Sequence, residues 1–224
     1  MIILEKNSYE NARAYAFRVL LYNIVNIELE PGTAISENEI SSVLNLSRTP
    51  VREALIELNK YGLVDIQPQR GSYISKIDYN IIEESRFMRV VLEIAILKLA
   101  CVDIPPEYII RLKGNIAEQK LCIEQNNSLK LLSLDNEFHK LIFEAVGKQW
   151  TYNVISTQMV HFDRLRVLIL KTIKNNRTVE DHENILYAIE RHDKELAEML
   201  MTKHLDRHTL DKDELIKLYP DYFV

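Results

Sequence analysis

The chain has 224 residues, of which 47% are hydrophobic and 27% are charged, so it has enough apolar mass for one large domain or two smaller ones. Its 28 lysines and arginines are outnumbered by 33 aspartates and glutamates, and the net charge of -5 excludes a broadly cationic protein, so any nucleic-acid site must be local. Only five glycines occur, which argues against a Rossmann domain, a P-loop or a β-sandwich.

The first 76 residues alternate short helical patterns with turn signals, which predicts three helices followed by two short strands. The second helix begins at a capping box formed by Ser36 and Glu39, and Gly62 ends the third helix, which Ser47 caps. The predicted elements are helices from Tyr9 to Asn26, from Ser36 to Leu44 and from Ser47 to Tyr61, and strands from Leu63 to Gln67 and from Ser72 to Ser75. Three helices and a hairpin in this order are typical of a winged helix-turn-helix.

The third predicted helix carries polar residues on the face expected of a recognition helix. Arg48, Thr49 and Arg52 share one side of its first turns, opposite the apolar residues that point inward. Two guanidinium groups one turn apart can contact guanine edges or phosphate oxygens, and Arg70 at the hairpin tip can reach an adjacent groove. We therefore predict that this face binds duplex DNA.

A surface role without nucleic acid is the alternative for the same arginines. Arg48 and Arg52 can pair with Glu53 or Glu57 on their own helix, as most charges on helix surfaces do. Helix-turn-helix units also serve in protein contacts, so the pattern alone leaves both interpretations open.

An extended series of residues gives these patterns a more specific meaning. It comprises Leu29-x-Pro31-Gly32-x-x-Ile35-x-Glu37-x-x-Ile40, then Ser47-Arg48-Thr49-Pro50-Val51-Arg52-Glu53-Ala54-Leu55-x-x-Leu58, then Gly62-Leu63-Val64 and Arg70-Gly71. This series resembles the DNA-binding domain of the GntR family of bacterial repressors. The resemblance implies that two copies act as a homodimer on palindromic, double-stranded operator DNA. The residues that it places on the DNA are Arg48, Arg52 and the wing at Arg70 and Gly71.

Longer amphipathic segments with few breakers follow a boundary near residues 77–80. They predict about six helices, which run from Ile81 to Val102, Pro106 to Glu124, Leu129 to Val146, Tyr152 to Ile173, Val179 to Arg191 and Lys194 to Asp211. A wholly helical segment of this size is usually a bundle. The chain is therefore expected to be mainly α, with a winged helix-turn-helix at 1–76, a linker at 77–79 and an all-helical domain at 80–224.

Three histidines and one aspartate stand out on the predicted bundle helices. Asp135 and His139 are four residues apart and share a helix face. The spacing of His182 and His204 from nearby apolar residues places each of them on the side of its helix that faces the core. Three imidazoles and a carboxylate can satisfy one another around a divalent cation, and this thiol-free set suits Zn, Ni, Mn or Fe. The alternative is that each histidine is a hydrogen-bonded core residue. The other histidines can be drawn on inward faces as well: His161, His192 and His208.

A second series of residues covers most of the remaining chain. It comprises Arg89-x-x-x-Glu93, Asp135-x-x-Phe138-His139, His182-x-x-Ile185-Leu186-x-Ala188-Ile189, Asp193-x-x-x-Ala197 and His204-Leu205. This series resembles the FCD-type effector domain of the FadR subgroup. The resemblance implies a divalent metal, with zinc as the first choice and Ni, Mn or Fe as alternatives. Its ligands would be Asp135, His139, His182 and His204.

The same resemblance implies a small organic acid as the signal. Arg89 and Arg164 are the candidates to hold its carboxylate, since a guanidinium can donate two parallel hydrogen bonds to it. The alternative for Arg89 is an ion pair with Glu93 one helical turn away.

These observations predict a homodimeric, metal-containing transcription regulator, expected to be a repressor, whose operator binding responds to a ligand. One alternative is a metal-free regulator that senses an acyl or other apolar ligand. A metalloenzyme is a second alternative, but catalysis is not expected. His182-Glu183 is followed by Leu186 where an HExxH motif needs histidine, and no Glu-x-x-His pair exists.

The cellular compartment is predicted from cysteine usage and hydropathy. Cys101 and Cys122 are too few for a disulfide framework, which fits a reduced cytoplasm. No apolar run is long enough and sufficiently free of charge for a secretion signal or a membrane span, so no membrane partner is expected.

Overall fold

A computed structural model describes residues 1–172, 177–206 and 212–224, and these residues form two compact units. The first unit comprises Met1–Tyr79 together with Leu215–Val224, and the second comprises Asn80–Glu214. From the sequence pattern alone, residues 215–224 belong with the helical bundle, whereas the structure groups them with the first unit. His208, one of the histidines considered above, lies outside the described residues.

Three helices and a small sheet make up most of the first unit. Their bounds are α1 Ala12–Val25, β1 Ala34–Ile35, α2 Glu37–Leu44, α3 Arg48–Lys60, β2 Val64–Gln67 and β3 Gly71–Ile74. The sheet is antiparallel, in the order β1-β3-β2. The predicted winged helix-turn-helix is therefore confirmed, and it contains one strand more than the sequence predicts.

The additional strand β1 is only two residues long and depends on the turn before it. Gly32 has a φ of +81°, and its N–H donates to the Ile74 carbonyl at 2.7 Å. The Ile74 N–H donates in return to the Thr33 carbonyl at 2.9 Å, so the chain joins the sheet edge directly after the turn. Glycine suits this position because a side chain would be strained at such a φ.

The boundaries of α2 and α3 follow the predicted signals with one exception. Ser36 caps α2 by accepting from the Glu39 N–H at 3.4 Å. Ser47 precedes α3, but its side chain makes no capping hydrogen bond, contrary to the prediction. Gly62 adopts a φ of +68° just beyond α3, which fits its predicted role in ending the helix.

The core of the first unit lies between α1 and α3. Both helices repeat apolar residues at spacings of three and four, and these residues are buried. They are Ala16, Val19, Leu20 and Ile24 of α1 and Val51, Ala54, Leu55 and Leu58 of α3. Burial of this face leaves Arg48, Thr49 and Arg52 exposed on α3.

The last residues of the chain pair with the end of the first unit's main segment. The Ile77 N–H donates to the Tyr222 carbonyl at 2.7 Å, and the Val224 N–H donates to the Ile77 carbonyl at 3.1 Å. Ile77 and Phe223 therefore form a parallel β-bridge. The rings of Tyr79 and Phe223 stack with their centroids 5.3 Å apart. These contacts explain why residues 215–224 belong to the first unit.

Helices form the second unit around one apolar core. Their bounds are α4 Tyr79–Ala100, α5 Pro106–Glu124, α6 Ser128–Ala145, α7 Gln149–Ser156, α8 Val160–Thr172, α9 Arg177–Glu190 and α10 Lys194–Asp206, and α11 Lys212–Leu218 leads into the C-terminal segment. Leu97, Leu112 and Phe138 are fully buried in the core. The all-helical class predicted for this part of the chain is confirmed. Among the described helices, none combines the length and apolar character that crossing a bilayer requires.

The single helix predicted from Tyr152 to Ile173 is wrong, because two helices, α7 and α8, occupy this stretch. Residues 157–159 form a turn between them. Ser156 and Thr157 donate their hydroxyls to backbone carbonyls three residues earlier, at 3.0 and 2.8 Å. Such local hydrogen bonds compete with the helical pattern and favour an end at this point.

Candidate metal centre and nucleic-acid interface

Four side chains from three helices of the second unit converge on one point. Asp135 and His139 lie one turn apart on α6, His182 comes from α9 and His204 comes from α10. One ligand-type atom of each residue lies within 4.8 Å of those of the others. The Nε2 atoms of His139 and His204 are 3.3 Å apart, and Asp135 Oδ1 is 3.6 Å from His182 Nε2. The structure thus brings together the four residues that the sequence singles out as candidate ligands.

Each of the three imidazoles has an oxygen acceptor at its Nδ1. The pairs are His182 with Gln119 Oε1 at 2.9 Å, His204 with Asp181 Oδ2 at 3.4 Å, and His139 with a carboxylate oxygen of Glu93. A proton held at Nδ1 leaves the Nε2 lone pair available, and the Nε2 atoms are the ones that face the common point. An outer acceptor on every imidazole is typical of histidines that bind metal.

Burial and nearby charges keep these groups in the protonation states that a cation needs. Burial lowers the pKa of His139 to about 4 and the pKa of His182 well below its ordinary value. Burial alone would raise the pKa of Asp135, but the charges around it, with that of Arg166 the largest, together outweigh burial and hold that pKa well below its usual range. At neutral pH these two imidazoles are neutral and the carboxyl group is ionised.

One buried polar atom supports the fit of a metal ion at this point. His182 is fully buried, and its Nε2 has no hydrogen-bond partner among the described residues. An unsatisfied buried group costs about 1–3 kcal/mol, which a bond to a cation would remove. Four ligands at about 2.0–2.1 Å from a tetrahedral ion are roughly 3.3 Å apart. The separations of 3.3 and 3.6 Å observed here are close to this value.

A small cavity lined by both charged and apolar side chains lies beside His139. Its volume is about 40 Å³, which is room for a few atoms of ligand or water. Arg89, Glu93, Tyr152 and Asp163 are among the residues that line it. Arg89, a predicted effector contact, faces this cavity and also donates to the carboxylate of Glu93. The ion pair that the sequence left open as an alternative is therefore present.

The second predicted effector contact, Arg164, lies elsewhere. It is fully buried and is not one of the residues that line the cavity. Arg166 is two residues further along α8 and therefore about 200° around the helix. It donates to the carboxylate of Asp135 and, at 2.6 Å, to Asn136 Oδ1. The sequence analysis missed Arg166, although helix phase could have distinguished the two arginines.

Four of the five residues predicted to contact DNA line an open groove in the first unit. Arg48 and Arg52 of α3 and Arg70 and Gly71 of the wing all border it. The three arginines are exposed, and they outnumber the two glutamates, Glu37 and Glu39, that line the same groove. Thr49 is exposed on α3 but does not line this groove.

The two arginines of α3 share one carboxylate partner, Glu37 of α2. Arg52 donates from Nε and Nη2 to the two oxygens of Glu37, each at 2.9 Å, and Arg48 donates to the same carboxylate at 3.3 Å. Pairing with Glu53 or Glu57 of α3 itself, the alternative left open by the sequence, is not the arrangement that the structure shows for these two arginines. Glu57 instead accepts from Arg13 of α1 at 2.6 Å. Both arginines of α3 keep more than half of their side-chain surface exposed, so these ion pairs are weak.

Known proteins resemble this chain along nearly its whole length. Residues 16–74 match the family model described as bacterial regulatory proteins, gntR family, and residues 84–207 match the model of the FCD domain. The HTH-type transcriptional repressor RspR of Escherichia coli K12 is 31% identical over 208 residues, which cover 92% of this chain and 91% of that protein. The Nta operon transcriptional regulator of Aminobacter aminovorans is 30% identical over 142 residues, or 63% of this chain and 66% of that protein.

A solved structure shares the fold. E. coli McbR/YncC superposes with a TM-score of 0.76, at 17% sequence identity, over 94% of this chain and 99% of that one.

Proposed function

This chain belongs to the GntR family of bacterial regulatory proteins and carries an FCD domain, and we propose that a divalent metal in that domain links a small carboxylate effector to operator binding. The chain is a DNA-binding transcriptional regulator and not an enzyme. The proposal adds to this a metal ion, an effector class, a homodimer and repression of the target genes. Repression is favoured by the likeness to RspR, which is named as a repressor.

The orientation of the three imidazoles carries the metal proposal. Each presents Nδ1 to an oxygen acceptor and Nε2 to the other candidate ligands. Histidines that only form hydrogen bonds within a core need not direct their Nε2 atoms toward one common point. The set of three nitrogens and one carboxylate, without thiolate, favours zinc first, with Ni, Mn or Fe as alternatives. Metals that accept more than four ligands keep positions open for water or an incoming carboxylate.

Purified protein is expected to contain about one divalent ion per chain. An ion that binds only the folded state stabilises it by about 2.7 kcal/mol when its free concentration is a hundred times its Kd, so chelation should lower the melting temperature. Elemental analysis measures the ion, and thermal unfolding with zinc, nickel, manganese or iron(II) added back ranks the metals. Protein that contains no ion and gains no stability from any of the four would contradict the metal proposal.

The cavity beside His139 supports a small acid as the effector. Its lining includes the guanidinium of Arg89, and His139 borders both the cavity and the metal cluster. We assign the effector carboxylate to Arg89 and, where the metal accepts more than four ligands, to its open positions. The charged side chains in the lining of the cavity favour a small acid over the acyl chain of the metal-free alternative. Arg164 has no part in this assignment, because it does not line the cavity.

An apolar stripe along α4 supports the homodimer. Phe87, Val91 and Leu99 are 64%, 52% and 46% exposed and recur at spacings of four and eight residues. This spacing keeps them within roughly one third of the helix circumference. Exposed apolar surface arranged in this way marks an interaction site, and a two-fold axis would pair the stripe with its own copy.

Val91→Glu is expected to convert the homodimer into monomers, because two carboxylates would face each other in an apolar interface. Sedimentation velocity measures the change, and operator affinity should fall with it. Ile110→Glu on α5 is the matched control, since Ile110 is 72% exposed and lies outside the stripe. A monomeric wild type, or a Val91→Glu variant as dimeric as the control, would contradict this interface.

A further inference from the structure

Two buried amide side chains connect His182 to the backbone beside Asp135. Gln119 Oε1 accepts from His182 Nδ1 at 2.9 Å, and Gln119 Nε2 donates to Asn115 Oδ1 at 2.6 Å. Asn115 Nδ2 then donates to the Leu134 carbonyl at 3.0 Å. Gln119 and Asn115, one turn apart on α5, are 0% and 6% exposed. These two residues are called the amide relay below.

One group that cannot donate fixes the direction of every hydrogen bond in the amide relay. The Leu134 carbonyl only accepts, so Asn115 turns its NH₂ group toward it and its oxygen toward Gln119. Gln119 must then turn its NH₂ group toward Asn115 and its oxygen toward His182. An amide oxygen accepts but does not donate, so the imidazole proton stays on Nδ1.

We propose that the amide relay sets the tautomer of His182 and so makes Nε2 its metal-binding atom. This inference rests on the proposed metal site and assigns to it two positioning residues. In the opposite tautomer the proton would sit on Nε2, the atom with no hydrogen-bond partner among the described residues. A protonated Nε2 has no lone pair for a cation.

His182 needs such a device more than the other two imidazoles do. His139 and His204 face the carboxylates of Glu93 and Asp181. Neither oxygen of an ionised carboxylate carries a proton, so it accepts in any orientation, and Glu93 is ion-paired with Arg89. The amide of Gln119 could present either its oxygen or its NH₂ group. Its orientation is therefore decisive, and Asn115 fixes it.

The tautomer can be measured without metal, by two-bond ¹H–¹⁵N correlation spectra of the labelled, metal-free protein. The His182 signals are identified by their absence from the His182→Gln variant. Wild-type protein is expected to show the Nδ1–H pattern at His182. Asn115→Leu, which lets the Gln119 amide rotate, and Gln119→Met, which removes the acceptor, are each expected to lose it. Zinc affinity should fall about 10–100-fold in both variants.

Two controls separate this role from a loss of packing. Ile116→Ala removes a buried side chain of α5 next to the relay, so it should lower stability but leave the tautomer and the zinc affinity unchanged. His204, which faces Asp181, should keep its Nδ1–H pattern in every variant. Circular dichroism confirms that each variant is folded, and either relay variant alone suffices if the other does not fold.

The possible results fall into distinct groups. A wild-type His182 that carries its proton on Nε2 would overturn the proposal. So would relay variants that keep both the Nδ1–H pattern and the wild-type zinc affinity. A wild type with the Nδ1–H pattern that binds none of the four metals would contradict the proposed metal site, while the control of the tautomer by the relay would be supported by the metal-free spectra.

Discussion

His182→Ala is expected to abolish the stabilisation that zinc gives to the protein. The substitution removes His182 Nε2, which has no hydrogen-bond partner among the described residues. The three remaining ligands then bind the ion far more weakly. It also removes a ring that stacks on Phe138 with centroids 3.9 Å apart, so the metal-free protein loses stability too. Melting temperatures of wild type and variant, each with zinc and with chelator, separate the two effects.

His161→Ala is the matched control for this experiment. His161 of α8 is buried like His182 but is not part of the cluster. Its loss should lower the melting temperature in both conditions and leave the rise on adding zinc intact. An equal rise with zinc in wild type and His182→Ala would show that the ion binds elsewhere or not at all.

The sequence predicted those parts of the fold that local patterns encode. Amphipathic spacing identified α3 and its exposed face because burial on one side of a helix repeats every 3.6 residues. Strand β1 escaped prediction since two residues carry no period, and its pairing depends on Gly32 and Ile74, which are distant in the chain. The bridge between Ile77 and Phe223 was not predicted either, because these two residues are also distant in the chain.

Local sequence patterns likewise predicted only part of the candidate site. Helix spacing indicated that Asp135, His139 and two later histidines point inward and could share a cation, and the family resemblance selected this set over the other histidines that spacing also allows on inward faces. The acceptors behind the imidazoles were not predicted as such. Gln119 and Asp181 orient rings that come from other helices, so no spacing within one helix connects them to their partners.

Arg52→Ala is expected to weaken operator binding by about 1–3 kcal/mol, which is roughly a fivefold to 140-fold rise in Kd. Arg52 lines the groove between α3 and the wing and can contact a base edge or a phosphate. Its ion pair with Glu37 is solvent-exposed and worth about 0–1 kcal/mol, so contact with DNA can replace it. Fluorescence anisotropy with a promoter fragment from the gene's own chromosomal neighbourhood, compared with unrelated DNA at the same salt concentration, measures the loss.

Two further variants distinguish DNA contact from a structural role. Arg13 of α1 is also exposed and ion-paired, with Glu57, but it does not border the groove, so Arg13→Ala should leave operator affinity near that of wild type. Glu37→Ala removes the same ion pair as Arg52→Ala while it keeps the cation. If Arg52 only tied α2 to α3, Glu37→Ala and Arg52→Ala would weaken operator binding equally. If Arg52 contacts DNA, Arg52→Ala produces the full loss of operator affinity and Glu37→Ala does not. DNA is a polyanion and binds the guanidinium cation, which only Arg52→Ala removes.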